Sequence, residues 1–211
     1  MKKSKDRITD SQSESNVLRR GRPSVPRERL LDAANALFAA VESPSLVTMD
    51  AIAAAAEVGK GTLFRAFGSR DELLDALWNA KLAAVREPVD SGVPPFDPGA
   101  PAAERVVALL DAITTFKLAN RHLIRAREMA VTGLWQSAHY QWMHGVLRRL
   151  IEEATEEGTN DAAYAAHALL SALHIDLLEE LLAAGRSREQ LRQAQADFAL
   201  SMIIGGTAQK R

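Results

Sequence analysis

Lys60, Gly61, Thr62, Phe64 and Arg65 fall within six residues of one another, and their side chains suit recognition rather than bond-making. The Lys60 ammonium is a mobile cation for a phosphate or a guanine edge. Gly61 carries no side chain, so a helix bearing it can approach another surface closely. Thr62 offers a hydroxyl and a methyl, and the methyl can meet that of thymine. Arg65 can fork onto a phosphate or a guanine. Leu63 and Phe67, at i and i+4, point the other way and give the segment an inner side. Together these residues predict a short helix that reads a nucleic acid.

Such a helix must be positioned by others. Thr48 is a good N-cap, and Ile52, Ala55 and Ala56 follow at helical spacing. Glu57, Val58 and Gly59 form a break before the helix Lys60 to Phe67. Two helices abutting across a turn are the layout of a helix-turn-helix, whose second helix enters the major groove of DNA. Upstream, Leu30, Ala33, Ala34, Leu37 and Phe38 make an apolar stripe on a helix from Arg27 to Ala40. Ser43-Pro44-Ser45 separates it from Thr48. Three helices over residues 24–70 should then share one small core.

The run Thr48 to Leu73 closely resembles the DNA-binding region of TetR-family transcriptional regulators. That region reads roughly T-x-x-x-I-A-x-x-A-G-V-S-K-G-T-L-Y-x-H-F-x-S-K-E-x-L, and the match has no gap. Three positions depart from the pattern. Glu57 stands where the family usually has Gly; if the backbone there needs positive φ, Glu costs about 1 kcal/mol or more. Phe64 replaces the usual Tyr and lacks the hydroxyl that often donates to phosphate. Ala66 replaces the usual His. The resemblance implies DNA contacts from Thr48, Lys60, Gly61, Thr62, Phe64, Arg65 and Arg70, the last standing where the family often has a phosphate-contacting Lys. It also implies a C-terminal ligand-binding domain, a homodimer held by two helices per subunit, and repression of a palindromic operator.

The 211 residues carry a net charge of −1, so the chain is not a basic DNA-coating protein, and its positive excess lies in the first third. There is no cysteine, hence no disulfide frame or thiolate chemistry. The polar N-terminus shows no secretory signal, and no apolar run approaches the ~20 residues of a membrane span. A cytoplasmic protein without a membrane partner is expected. Residues 1–23 read as a disordered arm ending in Arg19-Arg20-Gly21-Arg22-Pro23, from which Arg20 and Arg22 could reach phosphates or the minor groove.

Ser69 and Glu72 form a capping box for a connecting helix, residues 71–87, running to about Arg86. Residues 88–101 hold five of the eight prolines and read as a linker, a spacer rather than a loop that covers a pocket mouth with Phe96 inward. Residues 102–211 should be helical throughout: Ala102 to Asn120, Arg121 to about Val131, Ser137 to Glu157, Asp161 to Ala184, and a last helix opened by Ser187 and Gln190. The stretch Asp161 to Ala184 is apolar almost all round, which suggests burial on every side. Leu169, Leu170, Leu173, Leu177 and Leu181, with Leu191, Phe198 and Met202 of the last helix, are therefore the candidate dimer interface. The fold class is all-α.

Enzyme chemistry finds no support in motifs. No G-x-S-x-G elbow and no G-x-x-x-x-G-K-[ST] loop occur. Among the five histidines, His139 and His144 lie about 140° apart around a helix, and His167 and His174 about 10 Å apart along one. Neither pair could hold one ion through bonds near 2 Å, and no metal or cofactor is expected. A small-molecule effector is. Phe116, Met129, Trp135, Trp142 and Met143 supply apolar surface, and His122, Arg125 and His139 polar anchors. Two other readings stay open: a constitutive DNA-binding protein without an effector, and a small-molecule binder crippled for DNA by Glu57.

Overall fold

The computed structural model describes residues 26–41, 44–128, 134–155 and 161–205. Those residues form ten α-helices and two short 3-10 turns, with no strand among them. Three helices make the N-terminal unit: α1 (Arg27–Ala40), α2 (Met49–Ala55) and α3 (Lys60–Phe67). Then come α4 (Arg70–Ser91), α5 (Ala102–Ala119), α6 (Arg121–Glu128) and α7 (Ala138–Ala154). The chain closes with α8 (Ala162–Ser171), α9 (Ile175–Ala183) and α10 (Arg188–Gly205). No described helix is long and apolar enough to cross a membrane.

The N-terminal unit folds around Leu30, Leu31, Ala34, Phe38, Ile52, Ala53, Leu63 and Phe67, all buried. Ala53 rather than Ala55 turns inward on α2; Ala55 is exposed. Thr48 caps α2 as expected, its hydroxyl accepting from the Ala51 N–H at 3.2 Å. The break after α2 is a Schellman turn. Val58 N–H bonds the Ala53 carbonyl at 2.9 Å, and Glu57 N–H bonds that of Ala54 at 3.1 Å. Glu57 occupies the left-handed position of this turn, at φ 55°. A β-carbon crowds the backbone there, so glycine is the usual choice.

The helix α4 is longer than its sequence suggests. It passes through Pro88 and ends at Gly92, which takes φ 63°. Proline removes the bond to the Ala84 carbonyl, but Ala84 lies on the exposed side, where water can replace it. Leu82 and Val85 face the core on the opposite side. The following loop is no free spacer. Phe96 is buried in the second core with Val106, Leu109 and Leu150, which pins the proline-rich segment onto the body.

The apolar stretch from Asp161 to Ala184 is two helices, not one. After Ser171 the chain turns through Ala172, Leu173 and His174 and restarts at Ile175. Lys117 of α5 donates its ammonium to the Leu173 carbonyl at 2.8 Å, which satisfies the corner. Each short helix therefore buries its own stripe, and the all-round pattern is the sum of two stripes. Leu169, Leu170 and Leu173 lie in the second core, against α5 and α7. Leu191 joins Leu118 and Leu178, with Leu181 packed alongside. Met202 packs partly against the second core. Leu169, Leu170, Leu173 and Leu191 are buried within the chain, contrary to their expected place in a dimer interface, while Leu181 and Met202 are half-buried. Of that set only Leu177 and Phe198 are exposed, each at 44%.

Replacing Glu57 by Gly should stabilise the fold. Release from the left-handed region is worth ~1–2 kcal/mol, and the extra backbone entropy of glycine takes back ~0.5–1 kcal/mol. Urea unfolding should show a net gain; a loss would mean that the Glu57 side chain makes a stabilising contact.

Candidate functional site

The helix α3 presents two unlike sides. Leu63 and Phe67 are buried, whereas Lys60, Gly61, Phe64 and Arg65 are exposed and Thr62 is half-exposed. Gly59 begins the helix without a side-chain cap. A β-carbon built on Gly61 meets nothing within 4 Å among the described residues, so their packing does not require glycine there. Arg65 reaches back to the Thr62 hydroxyl at 3.4 Å. Lys60 lies 5.8 Å from the Phe64 ring centroid and is ion-paired with Asp50 of α2 at 2.7 Å.

Arg70 does not join this surface. Its guanidinium donates to the Val47 carbonyl at 3.0 Å and to the Pro44 carbonyl at 2.8 Å, and it lies 5.4 Å from the Phe38 ring centroid. It ties the start of α4 to the segment before α2, sharing the Pro44 carbonyl with the Val47 N–H and taking the Val47 carbonyl that follows the 3-10 turn. Its expected phosphate contact gives way to this structural one. Arg27, which sequence reasoning passed over, places its guanidinium 4.6 Å from the Phe67 ring centroid. Arg20 and Arg22 lie outside the described residues.

The expected effector residues divide. Phe116 meets Trp78 of α4 edge-on, with centroids 5.4 Å apart, and His139 lies 4.7 Å from the same ring. Trp142 donates to Asp90 at 3.3 Å and lies under the Arg86 guanidinium at 4.9 Å. Met143 is buried in the second core. These four line the seam of α4, α5 and α7. The others go elsewhere. His122 bonds Asn35 of α1 at 3.1 Å. Arg125 is ion-paired with Glu179 of α9. Trp135 is exposed against Tyr140 and His167. Met129 lies outside the described residues.

Trp78, which is not among the residues the sequence marks for an effector, sits at the centre of this seam. Its Nε1 is buried without a hydrogen-bond partner among the described residues, as is Nε of Arg86. Buried indole N–H groups usually find an acceptor, so both donors suit a ligand that brings one. A tryptophan on a stripe otherwise of leucine was the available signal. A separate open cleft of about 490 Å³ lies beyond the seam, lined by Val89, Phe96, Arg105, Val146 and Arg149 among others.

Histidines gather on the outer side of α7 and α8. The His144 and His167 ring centroids are 4.0 Å apart, and the Tyr140 hydroxyl lies 2.6 Å from His167 Nδ1. Burial pushes the Tyr140 phenol up to about 12, so it stays protonated, and which of the two groups donates is set by the His167 tautomer. Burial, and then neighbouring His144, holds His167 below its usual value. His122 is lowered likewise by burial, then by Lys81 and Arg121. No group of three metal-ligating side chains occurs among the described residues.

Two measurements follow from this geometry. Replacing Arg70 by Ala should destabilise the chain by ~1.5–3 kcal/mol, the range for hydrogen bonds to a charged group. It should leave the salt dependence of DNA binding unchanged, whereas Arg65→Ala should reduce that slope by about one unit. Because folded His122 and His167 resist protons that the unfolded chain accepts, their contribution is complete above the ordinary value of 6.5 and declines as pH falls through it. Melting temperature should thus drop between about pH 7.5 and about pH 5.5, and His167→Gln should shrink the drop.

Comparison with known proteins agrees with this arrangement. Residues 30–77 match the family model described as bacterial regulatory proteins, tetR family. The uncharacterized HTH-type transcriptional regulator YhgD of Bacillus subtilis is 31% identical over 103 residues, a match that spans 48% of this chain and only 52% of that protein. A TetR-like transcriptional regulator from Rhodococcus sp. RHA1 superposes with a TM-score of 0.60 at 26% identity, covering 88% of this chain and 100% of its own. A TetR-family regulator from Syntrophomonas wolfei shares the fold, with a TM-score of 0.62 at 17% identity over 85% of this chain and 95% of its own. The N-terminal helix-turn-helix thus matches the tetR family model in sequence, and the helical body behind it is similar in fold to TetR-like transcriptional regulators.

Proposed function

We infer that the protein is a cytoplasmic, homodimeric repressor that binds a palindromic operator and leaves it when a small molecule occupies the body. The observation that carries the reading is the polarity of α3: Leu63 and Phe67 are fixed in the core while Lys60, Gly61, Phe64 and Arg65 face out. Thr48 and Thr62 belong to the same surface. Arg20 and Arg22 would add contacts from the arm. Two copies would set their recognition helices ~34–36 Å apart, in successive major grooves.

The dimer contact falls on the exposed apolar groups of the last helices rather than on the leucines buried in the chain. Tyr164 of α8 is 71% exposed, and Phe198 of α10 44%. Tyrosine and phenylalanine are the residue types enriched in such contacts. The effector would lie at the seam of Trp78, Phe116, His139 and Trp142, where the Trp78 and Arg86 donors favour an apolar molecule with a hydrogen-bond acceptor. The helix α4 both lines that seam through Trp78 and packs against α3, so a ligand that favours another setting of α4 changes the spacing of the two recognition helices. Coupling of this kind is typically ~1–3 kcal/mol, or about 5–150-fold in operator affinity.

The second reading, a small-molecule binder with little hold on DNA, draws on one observation: the exposed acid Glu57 sits in the turn leading into α3. Selection of bound duplexes from a random pool should return a two-fold symmetric site whose half-sites lie about one helical turn apart. Return of no enriched sequence by the unaltered chain, with one recovered on Glu57→Gly, would put the second reading in its place; no gain in DNA affinity on Glu57→Gly removes the argument from Glu57.

A further inference from the structure

We propose that Asp50 sets the selectivity of the recognition helix by pairing with Lys60, so that Lys60 no longer acts as a free phosphate-seeking charge. The proposal rests on the DNA-binding reading above. Asp50 is the second residue of α2 and Lys60 the first of α3, so the pair joins the two N-terminal ends of the helix-turn-helix. The ammonium is held by both carboxylate oxygens, at 2.7 Å to Oδ1 and 2.9 Å to Oδ2.

The pair is not there for the fold. Its side chains are 61% and 62% exposed, and an ion pair in that setting contributes little to stability. Nor is the Asp50 carboxylate needed to cap α2, since Thr48 already accepts the Ala51 N–H. What the pair does change is the charge offered to a duplex. The exposed charged groups from Asp50 to Arg65 are two acids, Asp50 and Glu57, and two bases, Lys60 and Arg65.

A surface so balanced draws little from the phosphate backbone, whose attraction is the same for every sequence. Binding must then come from the fit of Gly61, Thr62, Phe64 and Arg65 to base edges and the sugar-phosphate contour, which differs between sequences. Asp50 thus takes the Lys60–phosphate attraction from every complex; a matched site, where Lys60 can turn from Asp50 to a guanine edge, recovers part of the loss, and a wrong site does not. Discrimination by weakening the unwanted complex is an established route to specificity.

The test compares the full chain with Asp50→Asn, Lys60→Met and the double variant. Two fluorescent duplexes serve as probes: a random sequence of about 30 base pairs, and the site that the unaltered chain selects from a random pool. Dissociation constants are measured between about 50 and 200 mM salt. Asp50→Asn should tighten binding to the random duplex, steepen its salt slope by about one unit, and narrow the preference for the selected site several-fold. Lys60→Met should leave the slope nearly unchanged when Asp50 is present, and lower it by about one unit when Asp50→Asn has already removed the carboxylate. Equal slopes for the unaltered chain and Asp50→Asn, or an equal effect of Lys60→Met in both backgrounds, would overturn the proposal. Asp50→Ser, which keeps a polar side chain, repeats the comparison if Asp50→Asn melts early. A chain that binds selected DNA while its Asp50 variants behave identically loses this inference alone; a chain that binds neither duplex loses the DNA-binding reading too.

Discussion

The structure depends on a core that the helix-turn-helix does not own outright. Leu30, Phe38, Ile52, Leu63 and Phe67 pack in one continuous cluster with Trp78 of α4, Phe116 of α5, Leu123 and Ile124 of α6, and Ile175 of α9. Three short helices of about forty residues bury too little apolar surface to stand alone. The body supplies the missing side of that core. A recognition helix seated this way cannot be moved without moving something behind it, because close-packed interiors shift between discrete arrangements rather than deforming smoothly.

Polar links reinforce the same connection. Arg70 fastens the first turn of α4 to the carbonyls of Pro44 and Val47, and His122 of α6 bonds Asn35 of α1. Trp78, eight residues beyond Arg70 on α4, reaches the seam where Phe116 and His139 meet. One helix therefore touches the DNA-reading unit with its first turn and the candidate effector seam two turns later. The geometry gives the coupling between the two a short and rigid route.

Local signals made the N-terminal third legible. Side-chain caps at Thr48 and Ser69, the i, i+4 pair Leu63 and Phe67, and the unbroken family pattern all act within a few residues, and all reappear in the structure. What could not be read depended on partners distant in the chain. Arg70 looked like a free cation because its acceptors lie more than twenty residues upstream. Pro88 looked like a stop because its tolerance depends on which side of α4 faces water. The leucines around Leu173 looked like an interface because the turn that divides them is held by Lys117, 56 residues away. The seam was half visible: aromatic content marked Phe116 and Trp142, but Trp78 was hidden in an ordinary helical stripe.

Gly61 separates two demands that most positions of a small domain must satisfy together. Since no atom of the described residues beyond its own helix borders the space where its β-carbon would stand, their packing does not hold that position to glycine. Drift at residue 61 would pass unnoticed by folding and be felt only by the surface that α3 meets. In a lineage descended from this protein, that residue is a place where new targets could be acquired without any toll on the scaffold.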